Sequence, residues 1–585
     1  MYRKKYSFIK DGEGLLLSSK DRLSKNNNAG FIDFRGKERL QDRFTETGGW
    51  NPGGRGATYI DADLQDSGYG VEVSAPDYPL RFCARVPYKG VYAVTVTIQG
   101  GKNGLKGLNL YSGRRNLVKR DIQIAEGEEF RYRFFCNICE YITVIGKPEA
   151  LDLSVSITVI GNCARLSTVT VEESSAPTLF LAGDSLVADY DGLYPYNPLM
   201  NGGSWGQNLL QYFPGIAVNN QAHGGMTTNC FKADGHWDIV SANICHGDIF
   251  MMEFGHNDQK RRNLKAFDQY ASNLRWYIKQ IRNKGAYPII VTPLSRIPAM
   301  DDRGYYDLLK DYSESCIRIG AECGVPVIDL HSYSFRLLCD MGADASKNYF
   351  NDITHTNDYG ALMMADFFAE EIIKQEIEPL YSQIQRLTSE QWKPDLSLRT
   401  AGTISSVEIE EQPILSINLP ELPYEDCQCI PQKELLKEAM TMGLLDPCIK
   451  FFHPFEGMPR GQFLYLLSKA VKSFGNPIYD GRYCDIYRYE FDAKLVQAAL
   501  DENLIDENTT LDDKFRPDDF LCEGELVSFV MRAVHKPEER NLSMEQCEAE
   551  ALREGSLWEG YQRENRVNRL QSVVILVWLM KRLVS

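Results

Sequence analysis

The first 175 residues carry the period-two pattern of β-strands. Apolar side chains alternate with polar ones at Tyr92, Val94, Val96 and Ile98, and again between residues 151 and 159. Alternation of this kind is typical of a strand with one buried face. Clusters of glycine separate the runs, and none of them has clean helical spacing. The pattern predicts a β-sandwich over residues 1–175.

Residues 176–385 have a different pattern, in which apolar strands alternate with amphipathic helices. Helical spacing extends over residues 267–281, before Gly285, and over residues 305–323, before Gly324. Glycine directly after such a run is a common helix stop. The strand-like runs are residues 178–182, 216–219, 249–254, 288–292 and 325–330. This alternation predicts a three-layer α/β/α domain with a parallel sheet, whose functional groups gather outside the carboxyl ends of the strands.

The remaining residues divide into a proline-rich stretch and a repeat. Residues 386–425 contain several prolines and little periodicity, which predicts a linker. Beyond it, the segments MPRGQ (458–462), LCEGE (521–525) and VNRLQ (567–571) each precede an apolar helical run. Three similar units predict an all-α repeat domain over residues 426–585. The whole chain is therefore expected to be multidomain.

Length and charge narrow the class of function. With 585 residues, the chain is too long for a single hydrophobic core. It carries 80 acidic and 64 basic residues, a net charge of −16. This balance argues against nucleic acid or an anionic membrane as a partner. An anionic substrate would need a local basic site to offset the negative electrostatic field of the chain as a whole.

Cysteines and apolar runs bear on cofactors and location. The 15 cysteines are spread along the chain, which favours reduced, buried thiols. Cys136 and Cys139 form a CxxC pair without a second pair at zinc-site spacing, so neither a metal nor another cofactor is expected. The N-terminus lacks the apolar core of a secretory signal, which predicts a cytoplasmic protein, or a cell-surface one if a leader was removed. The apolar run 573–580 is too short to span a bilayer.

Residues that together support ester hydrolysis follow the predicted strands. Ser185 comes directly after the run that ends at Gly183. A serine there is useful as a nucleophile only if a base takes its proton and donors stabilise the resulting oxyanion. The downstream blocks NNQAHGGMTT, FGHND and DITHTNDYGA hold Gly225, Asn257, and Asp352 with His355. The first two blocks follow the second and third strands, and the third precedes the last helix, so all are expected at one edge of the sheet.

These four blocks, in this order, resemble the SGNH (GDSL-type) hydrolases. The sequence motifs in and near these blocks are similar to those of the rhamnogalacturonan acetylesterases of carbohydrate esterase family twelve. They are GDS-x-VA, WGQ at 205–207, FGHND and D-x-THTN-x-YGA. The resemblance implies a flavodoxin-like SGNH domain in which Ser185 is the nucleophile, His355 the base and Asp352 the residue that orients the imidazole. It also implies an oxyanion hole made of the backbone N–H groups of Ser185 and Gly225 and the side-chain amide of Asn257.

Four further residues are candidate substrate contacts, namely His256, Trp205, Lys260 and Arg261. The two basic residues follow the third block directly and would meet the carboxylate of a galacturonate unit, although a solvated helix start explains them equally well. His256 is either a substrate contact or a structural histidine under the loop. Trp205 is either a sugar platform or a core residue.

The flanking regions also resemble known modules. FIDF at 31–34, GYGVE at 68–72 and P-x-x-G-x-Y-x-V at 87–94 resemble the galactose-binding-like module that precedes some bacterial esterases of this kind. The C-terminal units resemble surface-layer homology repeats, whose T-R-A-E tetrad binds cell-wall polymer. Here the tetrads read P-R-G-Q, C-E-G-E and N-R-L-Q. The repeats are therefore expected to give a weak cell-wall contact or a homo-oligomer.

Three functions compete at this point. The first is removal of O-acetyl groups from pectic, rhamnogalacturonan-type oligosaccharides. The second is hydrolysis of another acylated sugar or a small acyl ester, because Met226 and Thr227 follow Gly225 where the family has arginine and serine. The third is a non-catalytic sugar-binding or cell-surface protein, which would be expected to have lost part of the constellation; Ser185 and His355 are both present.

Overall fold

The computed structural model describes residues 2–10, 12–24, 27–32, 64–73, 75–142, 148–192, 194–261, 263–301, 304–386, 393–398, 422–445, 452–471, 477, 479–486, 491–505, 513–558 and 560–584. The chain forms two compact units, Met1–Thr403 and Ile404–Ser585. Most of the predicted linker 386–425, and half of the FIDF segment, lie outside the described residues. The predicted domain limits stay predictions.

The first part of the first unit consists of β-strands. Their apolar residues alternate with polar ones, as in β7, where Tyr92, Val94 and Val96 are buried. The strands are β1 (Arg3–Ser7), β2 (Leu15–Leu16), β3 (Ala29–Phe31), β4 (Leu64–Ser67), β5 (Gly70–Val73), β6 (Leu80–Arg85), β7 (Gly90–Gln99), β8 (Leu105–Ser112), β9 (Asn116–Ile124), β10 (Glu129–Ile138), β11 (Glu140–Ile142), β12 (Glu149–Leu151), β13 (Ser154–Ile160), β14 (Ala164–Leu166) and β15 (Thr168–Ser174).

The rest of the first unit alternates strands with helices. The strands are β16 (Thr178–Gly183), β17 (Ala217–Asn220), β18 (Ile249–Glu253), β19 (Tyr287–Val291), β20 (Ala299–Asp301), β21 (Gly304–Tyr306) and β22 (Val327–Ile328). The helices are α1 (Trp205–Asn208), α2 (Cys230–Ala233), α3 (His236–Asn243), α4 (Ala271–Asn283), α5 (Lys310–Cys323), α6 (Leu330–Met341), α7 (Ala343–Ser346) and α8 (Asp358–Gln375).

Both helices predicted from apolar spacing are present, with one correction. A π-helical turn, Ala266–Tyr270, precedes α4, and α5 ends at Gly324, whose φ of 60° is the left-handed conformation that glycine adopts at low cost. The prediction that the second helix starts at Tyr305 is wrong. Tyr305 belongs to β21, which pairs with β20 in a short hairpin, so the helix begins five residues later at Lys310.

Among the described residues of the first unit, ten strands form one sheet, in the order β2-β1-β15-β7-β10-β17-β16-β18-β19-β22. The last five strands in this order, which are β17, β16, β18, β19 and β22, are parallel, as predicted. The five before them are N-terminal, and β10 joins the parallel part by pairing Phe135 with Ala217 and Cys136 with Val218. The N-terminal strands therefore extend the sheet that carries the candidate catalytic residues.

Different layers cover the two parts of this sheet. The second N-terminal sheet, in the order β3-β6-β13-β8-β9, shares a core with the first, in which Val94 and Val96 lie in one cluster with Phe82 and Ile157. On one face of the parallel part, Leu179 and Leu181 pack in a cluster with Phe368 of α8. On the other face, Phe250 contacts Trp237 of α3 and Tyr277 of α4, with ring centroids 6.0 and 6.1 Å apart. Alternate residues of the strands thus serve two helical layers.

The described part of the second unit is helical, and backbone hydrogen bonds join its three recurring segments at equivalent positions. The Met458 N–H donates to Val567 (2.8 Å), that of Val567 to Leu521 (2.9 Å), and that of Leu521 to Met458 (2.8 Å). The side chains of all three residues in this closed ring are buried, which explains why an apolar residue starts each of the three recurring segments. The helices are α9 (Lys433–Thr441), α10 (Arg460–Val471), α11 (Phe491–Asp501), α12 (Glu523–Val534), α13 (Met544–Arg553) and α14 (Arg569–Val584). The likeness to surface-layer homology repeats stays a prediction.

Among the helices of the described residues, none combines the length and apolar content needed to cross a bilayer.

Candidate active site

Ser185, His355 and Asp352 form a continuous hydrogen-bonded series. Ser185 Oγ lies 2.9 Å from His355 Nε2, and His355 Nδ1 lies 2.7 Å from Asp352 Oδ2. Ser185 follows β16, which ends at Gly183. A Cβ at this glycine would lie 2.7 Å from the carbonyl oxygen of Glu253 in β18, so only glycine permits the close approach of the two strands. The sequence prediction that these three residues meet agrees with this geometry.

The loop that carries Asp352 and His355 fixes both side chains locally. Asp352 Oδ1 accepts hydrogen bonds from the backbone N–H groups of Thr354 (2.6 Å) and His355 (2.7 Å). Burial raises the pKa of Asp352, but the hydrogen bond and charge of His355, together with these N–H donors, outweigh burial and leave the pKa below its ordinary value. The carboxylate therefore stays ionised and favours the imidazole tautomer with its proton on Nδ1. Nε2 is then the atom that accepts the Ser185 proton.

Gly225 and Asn257 lie on the loops beside Ser185. Gly225 follows β17, Asn257 follows β18, and both strands flank β16 in the sheet. Gly225 has a φ of 83°, in the left-handed region. Asn257 Nδ2 donates to the carbonyl oxygen of Met226 at 3.1 Å, which ties the two loops together. Within the described ranges, the backbone N–H groups of Ser185 and Gly225 have no protein acceptor, so both can donate to a ligand.

Asp184 and Glu253 place buried carboxyl groups beneath these loops. Asp184 and Glu253 are both fully buried. Burial raises the pKa of Asp184 to about 6. Burial, reinforced by the charge of Asp184, raises the pKa of Glu253 to about 8. Glu253 accepts hydrogen bonds from the Leu294 N–H (2.8 Å) and from the indole N–H of Trp205. Sequence reasoning missed Glu253, because its burial follows from packing between strands.

The candidate sugar-platform role of Trp205 is wrong. Its side chain is 1% exposed and stacks on Phe368 with ring centroids 4.2 Å apart. An aromatic platform must present one face to the ligand, whereas both the ring and the N–H of Trp205 are engaged inside the core. Trp205 instead fixes the position of Glu253.

His256 is also a supporting residue, which corrects its candidate role as a substrate contact. It is 2% exposed, and its Nε2 lies 2.7 Å from the carbonyl oxygen of Leu294. Burial and the charge of Arg296 lower its pKa well below the ordinary value, so the ring is neutral. Arg296 Nε donates to His256 Nδ1 at 3.4 Å. This places the half-exposed guanidinium of Arg296 within the field of Asp184 and Asp352.

Arg296 is the basic group of the site that sequence reasoning missed. It follows β19, the next strand in the sheet, and no motif marks it. The signal that points to it is its position just beyond the carboxyl end of a predicted parallel strand.

Lys260 and Arg261 lie beside the third block, as the sequence suggests. Lys260 is exposed, and its Nζ donates to Asn257 Oδ1 at 3.0 Å. This contact turns the amide nitrogen of Asn257 toward the opposite side. Arg261 is half-buried, and its backbone N–H donates to the carbonyl oxygen of Asp258 at 2.8 Å. Substrate contact by these two residues stays a prediction.

In the part of the chain that the structure describes, three or more His, Cys, Asp or Glu side chains nowhere gather as a metal site would require.

The fold and the site together define the class, which is a serine esterase built on a parallel α/β sheet. Residues 181–362 match the GDSL-like lipase/acylhydrolase family. Rhamnogalacturonan acetylesterase RhgT of Bacillus subtilis (strain 168) is 34% identical over 211 residues, which cover 33% of this chain and 88% of that enzyme. The chain belongs to the GDSL-like lipase/acylhydrolase family.

Two further proteins are similar to this chain, one over a comparable share of its length and one over a larger share. The probable rhamnogalacturonan acetylesterase YesY of the same organism is 32% identical over 208 residues, which cover 33% of this chain and 91% of that protein. The second is protein YxiM from Bacillus subtilis, which has a crystal structure. Its sequence identity to this chain is 21%, and the structural match covers 64% of this chain and 99% of that one, with a TM-score of 0.34.

Proposed function

We propose that this protein is a carbohydrate acetylesterase that cleaves its substrate by a Ser185–His355–Asp352 mechanism. The observation that carries the proposal is the 2.9 Å separation of Ser185 Oγ from His355 Nε2. At this distance the hydroxyl proton can pass to the imidazole as the oxygen attacks a carbonyl carbon. The hydrogen bond from His355 Nδ1 to Asp352 then stabilises the imidazolium that forms.

The proposed reaction proceeds in two steps, acetylation of Ser185 and hydrolysis of the acetyl-serine. Ser185 Oγ bonds to the acetyl carbon, His355 holds the serine proton, and the oxyanion meets the Ser185 N–H, the Gly225 N–H and the Asn257 amide. Collapse of this intermediate expels the sugar oxygen, which takes the proton from His355 and leaves an acetyl-serine. Water then attacks the acetyl-serine by the same route, giving acetate and the free serine.

The proposed substrate is an acetylated pectic oligosaccharide of the rhamnogalacturonan type. The names of RhgT and YesY indicate this substrate class for the relatives. A galacturonate unit carries a negative charge, and the chain as a whole carries −16. The basic side chains of Lys260, Arg261 and Arg296 near the third and fourth strand ends would supply the local positive field that such a substrate needs.

A second candidate is an esterase that acts on another acylated sugar. Met226, which follows the proposed oxyanion donor Gly225, is completely buried. It therefore offers no charged contact, whereas the rhamnogalacturonan acetylesterases that the motifs resemble have arginine at this position. Acetate release from acetylated rhamnogalacturonan, homogalacturonan and xylan, measured side by side with a short aryl acetate, would separate the two candidates.

The mechanism is tested by replacing Ser185 with alanine. We expect Ser185→Ala to lose acetate release from both the polysaccharides and the aryl acetate while keeping the circular dichroism spectrum and the melting temperature of the parent. Ser332→Ala is the matched control, because Ser332 is an exposed serine on α6. A Ser185→Ala protein that kept most of its activity would rule out the serine mechanism.

A further inference from the structure

A cavity whose wall includes polar side chains lies between the N-terminal strands and the carboxyl end of β17. We refer to it as the junction cavity. It measures about 200 Å³ and is lined by residues of β10, β11, β13 and β17, together with the turn between β8 and β9 and the Ala188–Asp189 segment. Neither Ser185 nor His355 lines it. Since a water molecule takes about 30 Å³, the cavity holds far more than one or two waters.

Buried polar atoms in the wall of the junction cavity have no protein partner. Ser156 is 3% exposed, and its Oγ has no hydrogen bond within the described ranges. The Oδ1 of Asn116 and the Nδ1 of His236 also have no hydrogen bond there. The other ring nitrogen of His236, Nε2, lies 3.3 Å from Asp234 Oδ2. Each of these atoms has almost no accessible surface, so it would have to turn toward the cavity to meet a polar occupant; such a partner would remove the free-energy cost of a buried unpaired group.

Amide side chains supply the rest of the polar wall. Gln221 Nε2 donates to Asn219 Oδ1 at 2.8 Å, and Asn219 Nδ2 donates to Asn137 Oδ1 at 3.1 Å. These bonds hold the three amides in a row across the boundary between β10 and β17. Each amide oxygen keeps a further lone pair. A hydroxyl group suits such a wall because it both donates and accepts.

Three charged groups in the wall of the cavity, Arg114, Glu140 and Asp189, already have opposite charges or amides as partners. Both guanidinium donors of Arg114 reach Asp191, at 3.1 and 2.9 Å. Glu140 accepts from Lys89 at 2.7 Å. Asp189 accepts from the amides of Asn116 and Asn220, each at 2.8 Å. The wall therefore offers no free positive charge to an anion, and it favours a neutral ligand.

The junction cavity is connected to the loops of the candidate active site. Asn220 Nδ2 donates to the carbonyl oxygen of Val187, two residues after Ser185, at 2.6 Å. The N–H of His223, which also lines the cavity, donates to the carbonyl oxygen of Gly183 at 3.2 Å. The N-terminal strands thus contribute one wall and the loops that carry the nucleophile contribute the other.

From these observations we propose that the junction cavity binds a neutral, hydroxyl-rich ligand of about the size of one monosaccharide, at a site separate from that of ester cleavage. The recognising groups are the Ser156 hydroxyl and the amides of Asn116, Asn137 and Asn219. Sugars are the natural probes because the proposed function gives the protein a carbohydrate substrate. The ligand is either a free sugar or one unit of an oligosaccharide.

Isothermal titration of the full chain tests the proposal. The probes are the methyl glycosides of galactose, rhamnose and xylose, with galacturonic acid as the charged comparison and an unacetylated oligosaccharide as the second source of the same unit. We expect at least one neutral glycoside to bind, and galacturonic acid to bind no more tightly. Failure of all neutral probes at tens of millimolar would overturn the proposal.

Substitutions at Ser156 locate the binding. Ser156→Phe places a ring in the cavity and should abolish it, while Ser156→Ala removes the hydroxyl without adding bulk and should weaken it about 3- to 10-fold, as expected for one hydrogen bond. Thr170→Val, which also removes one hydroxyl but on β15 away from the cavity, is the control. Sugar binding that survives both Ser156 substitutions would place the ligand elsewhere and contradict the proposal.

Hydrolysis of an aryl acetate keeps the two hypotheses apart. Thr170→Val should leave it unchanged, because Thr170 lies on β15 and does not line the cavity. If Ser185→Ala retains activity, the proposed mechanism fails while the titration result still stands. If Ser156→Phe does not fold, as judged by circular dichroism, the Ser156→Ala titration decides alone.

Discussion

The side-chain amide of Asn257 donates a hydrogen bond to the backbone carbonyl oxygen of Met226, 3.1 Å away. An amide nitrogen carries two hydrogens, so this bond leaves one N–H for a substrate. Lys260 Nζ, 3.0 Å from Asn257 Oδ1, sets which end of the amide faces the site. The loops after β17 and β18 are thereby held together at the point where a developing oxyanion would need donors.

Asn257→Ala should lower turnover of an aryl acetate by ~10²–10³, because the variant loses one oxyanion donor. The effect should fall on kcat, since the donor acts most strongly on the charge of the transition state. Asn263→Ala, at an exposed asparagine six residues along, should change neither kcat nor KM. A variant at position 257 with nearly full kcat would mean that the backbone donors suffice.

Asp352→Asn should lower kcat by about 10⁴, the order known for the equivalent change in other serine hydrolases. An amide nitrogen at this position would donate to His355 Nδ1 and force the proton onto Nε2, where it blocks proton transfer from Ser185. Steady-state kinetics and the structure of the variant would check this. Asp344→Asn, at an exposed carboxylate on α7, is the control, since its side chain is 98% exposed.

Glu253 should make the stability of the first unit depend on pH. Burial raises its pKa from 4.5 to about 8, so the folded chain holds the proton more tightly than the unfolded one. Its contribution to stability is therefore complete below pH 4.5 and falls as the pH rises toward 8. Glu253→Gln should flatten this decline in urea unfolding measured across that range.

The control for this change is Glu128→Gln, at an exposed glutamate between β9 and β10. It should leave the pH dependence of the unfolding free energy unchanged. An unaltered slope in Glu253→Gln would show that the group is ionised in the folded protein in spite of its burial.

Local patterns predict the parts of this fold that depend on local chemistry. The five parallel strands and α4 follow from apolar spacing, and the approach of Ser185 to His355 follows from their places at strand and loop ends. The pairing of β10 with β17 does not follow, because it joins Phe135 to Ala217, far apart in sequence, and period-two alternation does not specify a neighbour. For the same reason the junction cavity has no signature in the sequence.

Burial explains the two wrong substrate contacts. Trp205 and His256 lie in motifs next to catalytic blocks, and proximity in sequence suggested proximity to substrate. Both side chains instead point into the core, where one bonds Glu253 and the other bonds the carbonyl oxygen of Leu294. Arg296 reaches the site from a stretch without any motif, so only tertiary structure reveals it.

Arg296→Gln should raise KM for an oligosaccharide that contains galacturonate, up to about fivefold, because one partly exposed ion pair contributes up to ~1 kcal/mol. Added salt should raise KM for the parent but have a smaller effect on the variant. Hydrolysis of an uncharged aryl acetate should not change. Arg275→Gln, at an exposed arginine on α4, is the control. Equal losses on both substrates would mean that Arg296 acts through His256 on the catalytic geometry.

Arg460 and Glu525 should stabilise the helical repeats of the second unit. They belong to the first and second repeats, lie 2.7 Å apart, and have side chains only 14% and 12% exposed. Arg460 also donates to the carbonyl oxygens of Phe515 and Arg516, at 3.0 and 2.7 Å. Removing one member of a buried ion pair leaves the other charge uncompensated, at a cost of about 3–5 kcal/mol.

Hydrogen exchange on the full chain would measure this cost. In Arg460→Ala we expect the amides of α10 and α12 to lose protection, while those of β16 and β18 in the first unit keep theirs. The comparison is Arg482→Ala, which removes a pair with Asp513 whose side chains are 31% and 74% exposed. A pair this exposed contributes about 0–1 kcal/mol, so protection should barely change. Equal effects of the two substitutions would mean that the backbone ring at Met458, Leu521 and Val567, and not the ion pair, holds the repeats together.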